Sequence, residues 1–412
     1  MTPDEVLAIS QEAVDLFGLD PVAGDAEAEA LLYNKPDDKP AILANIEGLK
    51  RIRAVHPAFF EAFDYGWAFA PEVYRNKMEA NLQARAVQFL AALHGNPNTP
   101  DAFDFAGVIV RYTFQTSTEP STPFHLPYRG RHLVFSPYSF QEFVLLFIRA
   151  LIDSLPGSSR GWAAFEGFRE FGGEVSSFLR QALLRALTSD AFHPGFPGET
   201  PMDRVKRESA WFAAASETGE IDEAVEVPLS VSLIDFALAH ELGHALHGHD
   251  GMTREADLRL QREQDADVMG FALYNSSWGW RDELLDGCPL NQGTRILLGP
   301  LLFHLFIKWH VGLRQGLAFR ALAGGGPLSG SVDQLGREAG DSRARTDVTF
   351  RQVGAYEAQI RARGAVVTKE DEALYAGVAR AGAAFALHVF AAARAIPDED
   401  YRIARKAGDA GF

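Results

Sequence analysis

The pentapeptide His240-Glu241-Leu242-Gly243-His244 constrains the fold of this chain more than any other part of its sequence. On a helix, two histidines four residues apart lie about 40° apart in azimuth and roughly 6 Å apart along the axis. Both rings can therefore reach one metal ion at about 2.1 Å. Glu241 lies about 100° round from His240, beside such an ion instead of among its ligands. The pattern predicts a helix that carries a catalytic zinc ion.

The sequence around the motif predicts where this helix begins and ends. Ser232 and Asp235 have the spacing of a capping box, so we expect the helix to begin just before Leu233. Gly248 is the residue type that commonly follows the end of a helix. Three apolar residues in the span indicate a packed helix: Phe236, Leu238 and Leu242.

A catalytic zinc ion also needs a third protein ligand and one open position. Glu263 follows His244 by 19 residues, and Asp267 shares its helix face one turn later. Glu263 can bind the ion, and Asp267 can accept the free N–H of a ligating histidine. Thr253 can cap the helix that carries both residues. The alternative is an ordinary charged helix face, since four more charged residues lie nearby: Glu255, Asp257, Arg259 and Arg262.

His247 completes a stripe of three histidines on the first helix. It lies about 60° from His244 but about 10 Å from His240 along the axis, which is too far for both to bind one ion. We therefore expect His247 to contact a ligand or the substrate instead of the metal. His249 and Asp250 are expected in a solvated turn after the helix.

The string HELGHALHGH, followed by REQDADVMGFAL, resembles the gluzincin metallopeptidases. It is similar to the Ste24/HtpX-like and ImmA/IrrE-like branches, whose second helix carries a Glu-x-x-Ala-Asp pattern. The resemblance covers residues 230–275 and implies a zincin-like core with one Zn²⁺ per chain. It also implies a role for each matching residue: His240, His244 and Glu263 as ligands, Glu241 as general base, and Asp267 behind a ligand.

Peptide hydrolysis also needs a donor that stabilises the oxyanion. His304 and Arg351 are the candidates that we retain, and four further residues are open: His310, Arg345, Tyr356 and His388. The stretch 345–351 is similar to a downstream His-Pro…Arg element of the Ste24/HtpX-like enzymes, although Asp347 stands where that family has His. Tyr274 is excluded, because it lies roughly 16 Å along the helix from Glu263.

The remaining sequence predicts a mainly helical (α+β) fold with a small sheet. Apolar residues recur at helical spacing over 4–17, 40–54, 57–64, 71–94, 139–154, 159–171, 173–188, 294–313, 347–363 and 369–395. Residues 108–114 and 132–135 have strand composition, and they form either the sheet edge that receives a peptide or an ordinary core hairpin. The turn-rich segment 96–100 suggests two regions: an N-terminal helical region, 1–105, and a zincin-like catalytic region with C-terminal helices, 106–412.

Composition excludes several classes of partner and site. The net charge of −16 over 412 residues argues against binding to nucleic acid or anionic lipid. Cys288 is the only cysteine, so neither an internal disulfide nor a cysteine-based zinc site can form. The N-terminal residues lack the pattern of a signal peptide. The longest apolar runs, 296–307 and 381–393, are shorter than the roughly 18–20 residues of a membrane span. We expect a cytoplasmic protein.

The leading hypothesis is a soluble zinc-dependent endopeptidase of restricted specificity that acts on a protein or peptide. An aminopeptidase is the nearest alternative, but the sequence lacks a Gly-x-Met-Glu-Asn motif that would hold a free amine. The other alternative is a non-catalytic zinc-binding scaffold or regulatory protein derived from a peptidase. Glu241 argues against it, because a structural metal site needs no base. The sequence assigns neither a substrate nor an oligomeric state.

Overall fold

The structure is a computed structural model, and it describes residues 1–17, 19, 38–96, 105, 107–113, 122–153, 223–249, 256–277, 292–323, 340, 357–358, 361–362 and 369–395. The helices expected over 159–171 and 173–188 lie outside these residues, as does most of 347–363. The chain forms two compact units, of which the first joins 1–140 to 235–282 and the second joins 141–234 to 283–412. These two units are sets of residues that pack together, and they do not show which segment folds alone. The expected domain boundary at residue 105 therefore stays a prediction.

The first unit begins with helices. These are α1 (Pro3–Phe17), α2 (Asp38–Val55), α3 (Pro57–Ala62) and α4 (Lys77–His94). Two 3-10 turns, Gly66–Phe69 and Pro71–Val73, precede α4. The sequence predicted one helix over 71–94, and this is wrong for its first turns. Asn76 caps α4, because its side chain accepts a hydrogen bond of 2.9 Å from the amide of Glu79.

Three strands form a small mixed sheet: β1 (Val108–Thr113), β2 (Phe124–Tyr128) and β3 (Arg131–Pro137). The order is β1-β3-β2, with β1 parallel and β2 antiparallel to the central β3. The two predicted strands therefore pair, but they do not form a hairpin with each other. The hairpin is β2–β3, and it turns at Arg129 and Gly130, which both have positive φ. We missed β2 because turn-forming residues dominate the sequence around it.

Side chains of α4 occupy the outer edge of β1. Gln83 donates to the carbonyl of Val108 at 3.1 Å and accepts from the amide of Val110 at 2.8 Å. Glu79 accepts from the amide of Tyr112 at 3.1 Å. Since these backbone groups already have partners, β1 cannot receive a further strand there. Neither predicted strand offers a free edge, because β3 is central; within the described sheet, β2 forms the other edge.

Glu79 also anchors the helices to the sheet. Its fully buried carboxylate lies 2.8 Å from Arg75 and 3.5 Å from Arg111. Burial by itself raises the pKa of Glu79, but the two guanidinium groups and hydrogen bonds from Arg75 outweigh it, so the net pKa is lowered. Arg111 donates from Nε to the Ser10 hydroxyl at 2.8 Å. One buried network therefore ties α1, α4 and β1 together.

The remaining helices are α5 (Tyr138–Asp153), α6 (Glu223–Leu246), α7 (Ala256–Ser276), α8 (Gln292–Ala323) and α9 (Lys369–Arg394). In the second unit, α8 and α9 pack so closely that a Cβ on Gly382 would overlap the Leu305 side chain. A buried ion pair, Arg149–Glu226 at 2.9 Å, joins α5 to the first turns of α6. The expected helix 294–313 is correct in type but continues for ten more residues.

The described residues thus form a mainly helical fold with a small three-stranded mixed sheet, which confirms the expected mainly-α class. None of the helices in the described part of the chain has both the length and the apolar character needed to cross a membrane.

Candidate metal centre

The helix that carries the histidine motif is longer than its sequence predicted. α6 begins at Glu223, ten residues before Leu233, so the expected start is wrong. Asp235 does not cap the helix, because its fully buried carboxylate forms an ion pair with Arg85 of α4. Asp235, which the sequence placed at the start of the helix, therefore lies in the middle of α6 and holds it against α4.

The predicted end of α6 is confirmed. The helix stops at Leu246, and Gly248 has a φ of 62°, the left-handed conformation that favours glycine. The amide of Gly248 bonds to the carbonyl of Ala245 at 3.0 Å. The amide of His249 reaches back to the carbonyl of His244, also at 3.0 Å. This pair of bonds is the Schellman pattern, and it turns the chain back beside the helix.

The structure brings the three predicted ligands together. Nε2 of His240 lies 3.2 Å from Nε2 of His244. The two oxygens of Glu263 lie 3.4 Å from the first of these nitrogens and 3.5 Å from the second. Within the part of the chain that the structure describes, this is the group of His, Cys, Asp and Glu side chains that can hold a metal ion.

The spacing of the donor atoms fits zinc. Two nitrogens, each about 2.0–2.1 Å from one tetrahedral ion, lie about 3.3 Å apart. The two nitrogens lie 3.2 Å apart, close to this value, and each has one oxygen of Glu263 at 3.4–3.5 Å. Two imidazoles and one carboxylate are also a ligand set of catalytic zinc sites, which leave a fourth position open. The described residues can therefore hold a metal ion, and their donor types are those that Zn²⁺ uses.

Two further carboxylates, those of Glu241 and Asp267, lie beside these donor atoms. Oδ1 of Asp267 is 2.9 Å from Nδ1 of His240, the ring nitrogen on the side away from the other donors. Oε1 of Glu241 is 4.0 Å from Nε2 of His240. Only 8% of Glu241 and 4% of Asp267 are exposed. One carboxylate thus contacts the far side of the His240 ring, and the other lies near the nitrogen that faces the candidate metal position.

Two glycines allow α6 and α7 to meet at this point. A Cβ on Gly243 would lie 2.6 Å from the carbonyl oxygen of Ala266, and one on Gly270 would lie 2.9 Å from the backbone of His240. No side chain larger than hydrogen fits at either position without a shift. Sequence reasoning did not single out these glycines, although glycine inside a helix is unfavourable unless close packing requires it.

His249 lies in the turn after α6, as expected, but it is half-buried against the site and not solvated. Its Nδ1 lies 3.0 Å from Nδ1 of His244. His247, in contrast, is exposed and stacks on the His249 ring, with centroids 5.2 Å apart and an interplanar angle of 14°. The role expected for His247 stays a prediction. Helical periodicity could not identify His249, because the chain reverses direction at Gly248.

Two histidines of the sheet adjoin this turn. Nε2 of His125 on β2 lies 2.9 Å from Nδ1 of His132 on β3. His125 also forms a hydrogen bond with the backbone of His249. Burial, together with the neighbouring His132 and His249, lowers the pKa of His125 to about 3. The ring is therefore neutral at physiological pH, and it connects the hairpin to the turn after α6.

The oxyanion candidates are not assigned to this centre. His304 is buried in α8 of the second unit, where its ring packs against Phe303 at 5.6 Å. Arg351 lies outside the described residues, as do Arg345 and Tyr356. The choice of an oxyanion donor stays a prediction.

No protein-family model matches this chain, and comparisons with the curated proteins and with the solved structures also gave no match. The resemblance to gluzincins is therefore carried by the residues of α6 and α7 alone.

Proposed function

We propose that this protein is a zinc-dependent peptidase with a zincin-like core. The observation that carries the proposal is the convergence of His240, His244 and Glu263 on one point, with Glu241 beside them. A structural zinc site closes all four positions with protein ligands, whereas a catalytic site keeps one open. Three protein donors with an adjacent buried carboxylate favour the catalytic kind.

The chain's own residues have separate tasks in this proposal. Zinc bound here would supply Lewis acidity, which polarises a carbonyl and lowers the pKa of water toward 7. Glu241 accepts a proton from the attacking water and passes it to the leaving amine. Asp267 fixes the orientation of His240, because a carboxylate behind a ligating imidazole selects its tautomer. Glu263 supplies a negative charge that balances part of the charge of the ion.

The sheet supports a peptide as the substrate class. An extended peptide binds by adding to a free strand edge. The outer edge of β1 is filled by Gln83 and Glu79, so β2 is the described edge that remains. His125 of β2 contacts the turn that follows α6, which brings this edge toward the end of the metal-binding helix. We therefore propose that the substrate lies beside β2.

The proposal is tested by Glu241→Gln. We expect this variant to bind one zinc per chain, as measured by elemental analysis, and to lose about 10²–10⁴-fold in peptide hydrolysis. Activity is measured on a peptide library with mass-spectrometric detection of cleavage products. Glu61→Gln, which changes an exposed carboxylate of α3 in the same way, is the matched control and keeps full activity.

The outcomes separate the peptidase from the alternatives. Zinc binding without hydrolysis by either protein would favour the non-catalytic scaffold. Release of single N-terminal residues would favour an aminopeptidase, and internal cleavage an endopeptidase. Full activity of Glu241→Gln would exclude the proposed mechanism.

A further inference from the structure

The two proposed histidine ligands have different partners behind them. His240 has the carboxylate of Asp267 at 2.9 Å from its Nδ1. His244 has another imidazole, that of His249, at 3.0 Å from the same ring position. A ligating imidazole usually donates its second N–H to a carboxylate, a carbonyl or water. An imidazole in that place is a different arrangement, and it gives His249 a specific task.

We propose that His249 is a positioning residue: its Nδ1 accepts the Nδ1 proton of His244 and thereby directs Nε2 of His244 toward the metal. The inference rests on the proposed zinc site and assigns a further residue to it. When Nε2 of a neutral imidazole binds a metal, its single proton is on Nδ1. At 3.0 Å, the facing Nδ1 of His249 must then be the acceptor, so the His249 proton is on Nε2.

His249 accepts this hydrogen bond as a neutral imidazole. A neutral imidazole offers one lone pair, whereas a protonated ring offers none. Stacking on His247 fixes the plane of the ring.

The backbone of His249 is held from both sides. Its amide donates to the carbonyl of His244, because Gly248 turns the chain back at the end of α6. Its backbone also forms a hydrogen bond with the ring of His125. His125 has a second contact through Nε2 with His132. A chain of histidines thus extends from the β2–β3 hairpin to a metal ligand.

The difference between the two partners has a chemical consequence. A carboxylate makes the imidazole in front of it more basic, whereas a neutral imidazole acceptor orients its partner and adds no charge. His240 is therefore the more basic of the two proposed metal ligands. The contribution of His244 to metal affinity depends more on the orientation of its ring. A side chain at position 249 that keeps an acceptor at the Nδ1 position should preserve that orientation.

The test compares zinc affinity, measured by competition with a chelator, for three substitutions of one residue. His249→Phe keeps a ring but removes the acceptor, and we expect about 10–100-fold weaker zinc binding. His249→Asn places its Oδ1 where Nδ1 stood, and we expect affinity within about threefold of the wild type. His249→Gln moves the acceptor away from that position, so its zinc affinity should fall as in His249→Phe. If the His249→Phe protein does not fold, His249→Gln serves as the variant without an acceptor.

His94→Phe is the control for a histidine-to-phenylalanine change. The His94 ring packs among phenylalanines, and this variant should bind zinc normally.

A second measurement reads the hydrogen bond directly. In zinc-loaded, ¹⁵N-labelled protein, the Nδ1 proton of His244 should exchange slowly with water in the wild type and in His249→Asn. The same proton should exchange rapidly in His249→Gln. A purely structural role for His249 predicts no such difference between the two amides.

Each other outcome overturns the inference. Wild-type affinity in His249→Phe and His249→Gln would show that His244 needs no partner, while the zinc site itself would stand. Equal weakening in His249→Asn and His249→Gln would show that the ring matters and the acceptor does not. A wild-type chain that binds no zinc would overturn both this inference and the proposed function.

Discussion

Gly270 of α7 lies directly against the backbone of His240 in α6. A Cβ at position 270 would stand 2.9 Å from both the amide nitrogen and the Cα of His240, closer than side-chain carbons approach backbone atoms. The helix that supplies Glu263 and Asp267 therefore reaches the helix that supplies the histidines only because position 270 has no side chain. Glu263 and Asp267 can contact His240 only while α6 and α7 lie this close together.

Gly270→Ala should therefore separate α6 from α7. Overpacking of a tight contact costs about 1–3 kcal/mol of unfolding free energy, and it also moves Glu263 away from the two imidazoles. We expect zinc affinity to fall by at least about tenfold, because donor atoms must stay within a few tenths of an ångström of their positions. Urea unfolding and chelator competition measure the two effects.

Gly48→Ala is the matched control for this change. Gly48 also lies inside a helix, α2, but nothing stands within 4 Å of its added Cβ. Alanine there should stabilise the protein by about 0.5–1 kcal/mol, because it is the better helix former. If both substitutions stabilise equally, the close contact at Gly270 is not real.

Removal of the third ligand should release the metal. Glu263→Ala leaves two imidazoles and no carboxylate, so we expect zinc stoichiometry, measured by elemental analysis after dialysis, to fall well below one. Asp265→Ala, two residues away on α7, removes the same charge without removing a proposed donor and should retain one zinc. An unchanged stoichiometry in Glu263→Ala would show that another residue binds the ion.

The ion pair between Arg85 and Asp235 should be needed for stability. Both side chains are largely buried, and Arg85→Ala leaves a buried carboxylate without its guanidinium partner. Such a loss costs about 3–5 kcal/mol of unfolding free energy. The double variant Arg85→Met/Asp235→Leu should recover most of it, because no unpaired charge is then buried. Lys50→Ala, which breaks an exposed pair with Glu47, should cost at most about 0.5 kcal/mol.

Stability should fall with acidity because of His125. Its pKa is about 3 in the folded protein and 6.5 when unfolded, so the unfolded chain binds the proton first as the pH falls. The contribution of His125 to the unfolding free energy therefore decreases between pH 6.5 and pH 3, and it is constant above that window. Between pH 7 and pH 5 this one group accounts for about 2 kcal/mol.

The contribution of His125 can be isolated with His125→Gln, which has no titratable group. We expect the change in urea midpoint between pH 7 and pH 5 to be smaller in this variant than in the wild type, since all other groups are shared. Both proteins are compared without metal. An equal change in the two proteins would show that the folded ring protonates freely.

The sequence predicted those parts of the site that follow from helical geometry. Fixed spacing on a helix was sufficient to place His240 beside His244, and one turn was sufficient to relate Glu263 to Asp267. The end of α6 followed from Gly248, because glycine readily adopts positive φ. These are local relationships, and each depends on a few residues of one helix.

Relationships between distant segments could not be predicted in this way. Asp235 has the spacing of a capping residue, and only the packing of α4 shows that its partner is Arg85. β2 was missed because its pairing with β3 depends on a turn and not on its own composition. His249 lies next to His244 because the chain reverses direction after α6. Helical periodicity describes only residues within the helix, so it could not predict this contact.

The amide of Gln83 has a further consequence for this protein in concentrated solution. By bonding to both Val108 and Val110, it takes the place that a strand from another molecule would otherwise take. Exposed strand edges allow chains to join into extended sheets. One side chain of α4 thus protects a strongly apolar strand from self-association while the protein is folded. The protection ends when α4 detaches, so partial unfolding of this helix is the step at which aggregation would begin.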